Sequence, residues 1–320
     1  MINIFFAVNE KFAKWTSVSL LSILKNHTFS KPSDKLRIFF LGGASFSKKT
    51  KEKLLSLKKY QDFECIFLDI DTSELSLFPT NLASIPLHTY YKLMITEIMP
   101  PEIEKIICLD GGDLILNGDI SKLWDIDIDD YYLAAVKDYP YQLIKNNPEE
   151  HFEGHSERYY NGGVLLMNLK KLREFNFYEK WKAFAMDKDN ISKIVFVDQD
   201  VLNAVISEKV LILPPLFNML TIYAKEFLAQ KKNVEDIVII HFAGAKPWHP
   251  SCVHPLREIY FKYMPFSPWD LTSKTARLAA YLDFVFSFLR KHPLFFLEKK
   301  YWFMIKNVLW GKIKIKKYYE

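Results

Sequence analysis

Short apolar runs alternate with amphipathic stretches through the first half of the chain, and this pattern limits the fold more than any other feature. Runs with the length of buried strands lie at residues 2–8, 36–41, 63–68 and 106–109. The segments between them with apolar side chains at helical spacing are residues 15–24, 49–57 and 89–98. Strands that alternate with helices form mostly parallel sheets covered on both faces, and ligands bind beyond the carboxyl ends of the strands. We therefore predict a doubly wound α/β fold.

The second half of the chain is less regular. Strand-like runs lie at residues 133–136, 164–168, 210–213 and 237–241. A helix is predicted at residues 199–206. The composition changes after Trp269, so we predict a folded domain over residues 1–269 and a helical tail over residues 270–320.

The tail is basic and aromatic. Residues 299–317 contain seven lysines and no acid, with tryptophan, tyrosine and phenylalanine among them. This composition is typical of a helix that lies on anionic lipid, although it also suits nucleic acid or packing on the domain. The apolar run at residues 278–289 contains Asp283 and is too short to span a bilayer.

The cysteines and the first residues bear on the compartment. Cys65, Cys108 and Cys252 show no metal or disulfide spacing, and scattered thiols suit a reducing cytoplasm. The chain starts directly with a strand-like run, so no signal peptide is predicted. We expect a cytoplasmic protein without a transmembrane segment.

Acids and glycines follow the fourth predicted strand, in the sequence LDGGD at residues 109–113. Asp110 and Asp113 flank a pair of glycines there, and the chain has only ten glycines in all. Two carboxylates on a glycine turn at the carboxyl end of a strand suit a hard divalent cation, which prefers oxygen ligands. A solvated Asp-Gly turn is the simpler alternative.

A second string, HFAGAKPW at residues 241–248, follows another predicted strand. His241 can complete a metal site from the far side. Gly244 lets backbone N–H groups approach a phosphate, and Lys246 supplies a positive charge for it. The alternative is a loop with a buried histidine and a Lys-Pro turn.

Five segments in consistent order resemble the family-eight glycosyltransferases, which include bacterial lipopolysaccharide galactosyl- and glucosyltransferases and glycogenin. HFAGAKPW resembles the segment in which this family has its histidine, glycine and Lys-Pro-Trp. The other similar segments are IFFAVN at residues 4–9, NGDI at residues 117–120, YNGGVLLMNL at residues 160–169 and DQDVLN at residues 198–203. The resemblance covers roughly residues 2–269.

The resemblance implies a Rossmann-like domain of the GT-A type with a mostly parallel central sheet, and a Mn²⁺ ion, with Mg²⁺ as the alternative, on the UDP diphosphate. The implied metal ligands are Asp110, Asp113 and His241. The implied donor contacts are Ala7, Asn9, Lys92, Asp110, Asn161, Gly244 and Lys246. The implied catalytic pair is Asp198 and Gln199, with Asp138 and Gly162 on the sugar and acceptor side.

Three positions depart from the family pattern. Relatives usually read L-D-x-D, whereas Asp113 follows Asp110 by three residues, so we expect the glycine pair to form a bulge that returns Asp113 to the metal. Lys92 stands where relatives often have arginine, and it keeps the charge without the planar fork. Asn9 replaces a common aspartate, and its amide can still hydrogen-bond to uracil.

The implied activity is retaining transfer of galactose or glucose from a UDP-sugar to lipopolysaccharide, lipooligosaccharide or another glycan. Gln199 stands where a retaining hydrolase would have a carboxylate nucleophile, so we expect the acceptor to attack on the face from which UDP leaves. Asp198 as a nucleophile is the alternative. A UDP-sugar-binding protein without catalysis and a glycogenin-like self-glycosylating initiator are the other two hypotheses.

A lipid-linked acceptor would favour a membrane role for the tail. We therefore expect a peripheral protein on the inner face of the bacterial plasma membrane. Its expected partners are a UDP-sugar, a glycan or glycolipid acceptor and an anionic membrane surface, and not nucleic acid.

Overall fold

The computed structural model describes residues 1–29, 32–42, 45–68, 87–139, 158–191, 194, 196–249, 251–273 and 282. Within them the chain forms the α/β architecture that the sequence predicts. Among these residues no helix is both long enough and apolar enough to cross a membrane. The helix predicted for residues 270–320 lies outside the described residues, except for residues 270–273 and residue 282.

The strands agree closely with the apolar runs. In chain order they are β1 (Ile2–Ala7), β2 (Leu36–Leu41), β3 (Phe63–Leu68), β4 (Lys105–Asp110), β5 (Leu114–Leu116), β6 (Leu133–Lys137), β7 (Tyr160–Asn168), β8 (Val210–Leu213) and β9 (Ile239–His241). In the described part of the chain the main sheet has the strand order β3-β2-β1-β4-β7-β6-β8, and β5 pairs with β9 in a second sheet. The strands from β3 to β4 are parallel, and β7 is antiparallel to both of its neighbours.

In chain order the helices are α1 (Ala13–Asn26), α2 (Lys48–Leu55), α3 (Ile95–Ile98), α4 (Ser121–Trp124), α5 (Leu169–Glu174), α6 (Phe177–Met186), α7 (Lys188–Ile191), α8 (Asp198–Val205), α9 (Thr221–Ala229) and α10 (Arg257–Tyr263). The four segments predicted as helical correspond to α1, α2, α3 and α8, and the other helices of the described residues were not predicted. The helix predicted at residues 89–98 is instead a 3₁₀ helix, Leu87–Met94, followed by α3. Local hydrogen bonds start two helices: Ser47 accepts from the Thr50 amide and Asn168 from the Lys171 amide, at 3.2 and 3.0 Å.

Both faces of the main sheet are covered, because successive side chains of its strands point to opposite faces. Phe6 of β1 packs with Leu20 of α1 on one face. Phe5, its neighbour in sequence, packs with Leu93 and Trp181 on the other. All five side chains are fully buried, and burying an aliphatic or aromatic side chain of this size contributes about 1.5–3 kcal/mol before entropy is counted. This two-sided core holds the strand ends rigidly.

The sheet brings several motif segments to one edge. Ala7 at the end of β1 is the register partner of Asp110 at the end of β4. The pairing of β6 with β7 shifts between Ala135 and Lys137, whose register partners are Leu165 and Tyr160. A shifted register frees backbone groups and re-aims side chains. Because β7 is antiparallel to β4 and Val164 is the register partner of Leu109, the start of β7 lies at the same edge as the ends of β1 and β4.

Candidate active site

Two aspartates and a histidine meet at the ends of β4 and β9. Ligand atoms of Asp110, Asp113 and His241 all lie within 4.8 Å of one another. The Nε2 atom of His241 is 3.9 Å from Oδ2 of Asp110 and 3.8 Å from Oδ2 of Asp113. The three-residue spacing of the aspartates therefore does not separate them, in agreement with the bulge expected from the glycine pair.

The glycine pair turns back on α1. Gly112 has a φ of 100°, and a Cβ atom there would lie 2.8 Å from Cβ of Trp15, so that no other residue fits without a shift. The Gly112 carbonyl accepts a hydrogen bond from the Tyr260 hydroxyl at 2.9 Å. Trp15 also stacks on Trp248, with ring centroids 4.0 Å apart and planes 4° apart. The stack joins the His241 loop to the same helix as the glycine turn.

The donor set suits a divalent cation that takes oxygen and nitrogen ligands. Asp113 and His241 are almost wholly buried, and the Lys246 ammonium donates to the Asp113 carboxylate. Burial alone would raise the pKa of Asp113, but Lys246 and His241 outweigh it and the pKa is lowered. Burial would lower the pKa of Lys246, but the Asp113 carboxylate outweighs this effect and the pKa of the lysine is raised. Asp113 is therefore ionised, as a metal ligand must be.

Lys92 joins the first aspartate to α8. Its Nζ atom donates to Asp110 at 2.8 Å, to Asp198 at 3.0 Å and to the Gly162 carbonyl at 2.6 Å. Burial would lower the pKa of Lys92, but the two carboxylates raise it well above its ordinary value. Burial also raises the pKa of Asp198, an effect that Lys92 opposes and Asp110 adds to. Three hydrogen bonds at different angles suit an ammonium group better than a planar guanidinium.

The side-chain amide of Gln199 is anchored at both ends. Its Oε1 atom accepts from the Gly162 amide at 3.0 Å and from Asn161 Nδ2 at 3.2 Å. Its Nε2 atom donates to Asp138 at 3.1 Å and to the Tyr159 hydroxyl at 3.2 Å. The backbone N–H of Gly162 can only donate, so the orientation of the amide is determined. These four hydrogen bonds hold the Gln199 amide in one orientation.

Tyr159 and Asp200 form a buried pair that contacts the Gln199 amide. The Tyr159 hydroxyl donates to Asp200 at 2.5 Å, and the other Asp200 oxygen accepts from the Phe196 amide at 2.6 Å. Burial and the Asp200 charge raise the pKa of Tyr159 strongly, so the hydroxyl keeps its proton. Val197 precedes α8 with a φ of 44°, which costs about 1–3 kcal/mol for a residue that is not glycine. The first turn of α8 is thus held in a strained arrangement at the site.

Gly163 and Asn218 complete the site, although sequence reasoning did not assign them a role. A Cβ atom on Gly163 would lie 2.3 Å from Cε1 of His241 and 2.8 Å from Oδ2 of Asp110. Gly163 lies in the segment YNGGVLLMNL, and the lack of a side chain there lets the His241 ring and the Asp110 carboxylate approach the backbone closely. Asn218 is wholly buried between Asn161 and His241, and no sequence pattern singles it out.

The remaining predicted contacts lie around this network. Ala7 is half-buried beside Asp110. Asn9 lies just after β1, where its Oδ1 atom accepts from the Phe12 amide at 3.1 Å at the start of α1. Gly244 has a φ of 85°, is exposed, and has open space where a Cβ atom would be. The structure thus brings ten predicted residues into one set of contacts: Lys92, Asp110, Asp113, Asp138, Asn161, Gly162, Asp198, Gln199, His241 and Lys246.

Comparison with known proteins identifies the family. A model described as Glycosyl transferase family 8 matches residues 3–252. A Haemophilus influenzae protein that is described as a glycosyltransferase is 32% identical over 260 residues, which cover 79% of this chain and 74% of that protein. The lipopolysaccharide 1,2-glucosyltransferase of Escherichia coli is 27% identical over 279 residues, which cover 84% of this chain and 79% of that protein.

A solved structure shares the fold. The galactosyltransferase LgtC, crystallised with donor and acceptor sugar analogs, superposes with a TM-score of 0.70 at 22% sequence identity, over 86% of this chain and 99% of that chain. This likeness agrees with the GT-A architecture predicted for residues 1–269, with a mostly parallel sheet and helices on both faces. The family match spans most of the chain and includes the ten predicted residues that the structure brings together. The chain therefore belongs to glycosyl transferase family 8.

Proposed function

We propose that this protein is a retaining hexosyltransferase that moves galactose or glucose from a UDP-sugar to a lipopolysaccharide, lipooligosaccharide or related glycan acceptor. One observation carries the proposal: a group of three metal-type ligands lies beside an anchored amide, that of Gln199, at the strand ends where α/β folds bind ligands. Relatives that are lipopolysaccharide glucosyl- and galactosyltransferases support this class of donor and acceptor.

The proposed cofactor is Mn²⁺, with Mg²⁺ as the alternative, held by Asp110, Asp113 and His241. The carboxylate oxygens and the imidazole nitrogen of these residues fit either ion, and mixed ligands favour Mn²⁺. A bound divalent cation would supply Lewis-acid stabilisation of the charge that develops on the departing diphosphate. Lys246, next to Asp113, would add a positive charge on the same side.

The proposed contacts with the UDP-sugar lie at and after the ends of β1 and β9 and at Lys92. Ala7 and Asn9, at and just after the end of β1, would lie against the uridine. Gly244 has open space beside it and a backbone that only glycine adopts easily, which suits close approach to the diphosphate. Lys92 would orient Asp110 and Asp198, because it donates to both.

The proposed chemistry is attack by the acceptor hydroxyl on the face from which UDP departs. The bond from the anomeric carbon to the phosphate oxygen breaks, the bond to the acceptor oxygen forms, and a phosphate oxygen takes the acceptor proton. Gln199 is a poor nucleophile, and its amide is engaged at both ends. It would support positive charge on the sugar through its carbonyl dipole. Asn161, Gly162 and Asp138, which contact Gln199, would line the sugar and acceptor side.

Asp198 as a covalent nucleophile is the alternative mechanism. Its carboxylate is half-buried and paired with Lys92 at 3.0 Å, which lowers its freedom to attack. Intact-mass and peptide-mass analysis of the protein mixed with donor alone tests this point. We expect no glycosyl-enzyme at Asp198, and a trapped sugar ester there would contradict the same-face mechanism.

Donor turnover tests the function as a whole. Release of UDP is measured from UDP-galactose and from UDP-glucose, with Mn²⁺ and then with EDTA. We expect one donor to turn over and EDTA to abolish its turnover. UDP binding without turnover of either donor would instead favour a protein that has lost catalysis, and a rise in intact mass with UDP-glucose would favour a self-glycosylating initiator.

We also propose that residues 1–269 form the catalytic domain and that residues 270–320 attach it to the inner face of the plasma membrane. A surface of the folded domain supports this proposal and is called here the basic–aromatic surface: Lys25, Lys53, Lys58, Lys59, Tyr60, Phe266 and Trp269. Lys25 lies 3.3 Å from the Phe266 ring centroid and Lys53 lies 4.8 Å from that of Trp269. Phe266 is 42% exposed. Lysines beside exposed aromatic rings suit the interface of an anionic membrane.

Vesicle co-sedimentation of the full chain tests the contribution of the basic–aromatic surface to membrane binding. Lys53→Glu/Lys58→Glu/Lys59→Glu is compared with the control Lys225→Glu/Lys231→Glu/Lys232→Glu, which changes the net charge equally on and after α9. Each lysine contributes about 1 kcal/mol near an anionic surface, so we expect at least about a tenfold loss of binding to anionic vesicles for the first variant only. Equal losses, or no loss in either, would contradict a role for this surface.

A further inference from the structure

Asn218 connects the metal-type ligands to the sugar side of the site. It lies just after the 3₁₀ helix Pro215–Phe217 and is wholly buried. Its Oδ1 atom is 2.9 Å from Nδ1 of His241. Its Nδ2 atom is 2.9 Å from Oδ1 of Asn161. The segment that holds it is joined to β9, because Met219 bonds through its backbone to Ile239 and to His241.

One backbone group determines the direction of the hydrogen bonds that link Asn161, Asn218 and His241. The Gly163 N–H can only donate, and it lies 2.9 Å from Asn161, so the Asn161 atom that it meets is the carbonyl oxygen Oδ1. Asn218 must then present its NH₂ group to that oxygen and its own carbonyl oxygen to His241. An oxygen acceptor requires a proton on Nδ1 of His241. In the neutral imidazole, Nε2 is left with a lone pair, and it is Nε2 that lies near Asp110 and Asp113.

The other end of Asn161 agrees with this assignment. Its Nδ2 atom lies 2.9 Å from the Asp138 carboxylate and 3.2 Å from Oε1 of Gln199. Both partners accept there, because Gln199 also receives the Gly162 N–H at Oε1. Asn161 is thus tied to the histidine on one side and to the anchored amide of Gln199 on the other.

We propose that Asn218 is a positioning residue that sets the Nδ1–H tautomer of His241 for metal binding and couples the metal ligands to the sugar side through Asn161. The proposal rests on the proposed function only for the identity of the metal and sugar. Partners that orient a ligating histidine typically change metal affinity by about 10- to 100-fold when they are removed. The position needs a donor and an acceptor on one side chain, which asparagine supplies and aspartate or leucine does not.

The two halves of the proposal can be separated by substitution. Asn218→Leu removes both hydrogen bonds. Asn218→Asp retains an acceptor for His241 but offers no donor to Asn161, whose Oδ1 atom would then face a carboxylate. Asn3→Leu is the matched control, because Asn3 is also a buried asparagine and lies near the opposite end of β1.

The experiment reads the tautomer in the metal-free full chain and then the affinity for Mn²⁺. ¹⁵N-labelled histidine gives distinct shifts for protonated and unprotonated ring nitrogens, and loss of one signal in His241→Gln assigns His241 among the eight histidines. Mn²⁺ binding is followed by the electron paramagnetic resonance of the free ion. Neither of these two readouts needs turnover, so failure of the donor assay leaves the test of the His241 tautomer and of Mn²⁺ affinity intact, and only the kcat comparison for Asn218→Asp depends on that assay.

We expect an Nδ1–H tautomer of His241 in the wild type and in Asn3→Leu. For Asn218→Leu we expect loss of this signature and an affinity for Mn²⁺ about 10- to 100-fold lower. For Asn218→Asp we expect the tautomer and the affinity to be retained while kcat falls more than KM changes. An Nε2–H tautomer in the wild type overturns the proposal without any variant. Wild-type Mn²⁺ affinity in a folded Asn218→Leu also overturns it.

Discussion

At the scale of single residues, the site depends on space as much as on ligands. Gly163 lies against the His241 ring and the Asp110 carboxylate so closely that a methyl group would overlap both. Gly162, the preceding residue, has only an ordinary contact of 3.4 Å with Gln199 at the same position. Two adjacent glycines therefore differ sharply in what they tolerate.

This difference predicts opposite results for two small substitutions. In Gly163→Ala the new Cβ must displace His241 or Asp110, so we expect Mn²⁺ affinity to fall by at least about tenfold, as for other changes that misplace a ligand. In Gly162→Ala we expect nearly wild-type Mn²⁺ affinity. Binding is measured by titration of the metal-free protein, with circular dichroism to check the fold. Equal affinities for the two variants would show that Gly163 does not control the ligand positions.

At the scale of elements, one arginine holds the helix that follows Lys92. Arg173 of α5 donates to the backbone carbonyls of Thr96, Met99, Pro100, Pro101 and Ile103. These carbonyls lie in and after α3, where the Pro100-Pro101 pair ends the helix and leaves its last carbonyls without helical partners. The planar guanidinium can reach several of them at once. Arg173 thus joins α3 to α5 across the sheet face.

Replacement of this arginine by lysine tests its role in stability. In Arg173→Lys most of the five hydrogen bonds are lost, so we expect the free energy of unfolding to fall by about 1–3 kcal/mol. Arg37→Lys is the control, because Arg37 forms a partly exposed pair with Glu64 at 2.7 Å, and such pairs contribute about 0–1 kcal/mol. Urea unfolding followed by circular dichroism measures both. A smaller loss in Arg173→Lys than in Arg37→Lys would refute the assignment.

At the scale of the whole molecule, a neutral histidine makes stability depend on pH. His254 Nε2 donates to the Met219 carbonyl at 3.0 Å, and its Nδ1 accepts from the Leu256 amide at 3.1 Å. The ring also contacts Phe242, with centroids 4.8 Å apart. Burial lowers the pKa of His254 from 6.5 to about 4. The buried ring is therefore neutral, and it joins three segments of the core.

The lowered pKa determines the direction of the pH dependence. Between pH 6.5 and 4 the unfolded chain binds a proton that the folded His254 does not, so stability is present above pH 6.5 and is lost as the pH falls toward 4. Over this interval the loss amounts to about 3 kcal/mol at 1.36 kcal/mol per pKa unit. We expect His254→Gln to be less stable at pH 7 but to lose clearly less on acidification to pH 4.5. Urea unfolding with EDTA measures this, and equal losses in the two proteins would exclude His254 as the cause.

The sequence by itself determined most of the strands and most of the residues of the site. Apolar runs at residues 36–41, 63–68 and 210–213 coincide with β2, β3 and β8, because the residue types that favour a strand and the turns that end it are local to each segment. The motif segments identify Asp110, His241 and Gln199 as candidates, because each motif is a short run of neighbouring residues that can be recognised without the fold. The helix before α3 was predicted without its 3₁₀ form, because both helix types place apolar residues at similar spacing.

Only the tertiary structure decided how these residues meet. Asn218 lies 57 residues from Asn161 and 23 residues from His241 along the chain, so no local pattern could indicate its two hydrogen bonds. The return of Asp113 to Asp110 depends on the space that Gly112 finds against Trp15. The position of Gly163 beside His241 depends on strand order and on the register shift next to β7. Contacts of this kind arise from the packing of elements that are distant in sequence, whereas the elements themselves arise from neighbours.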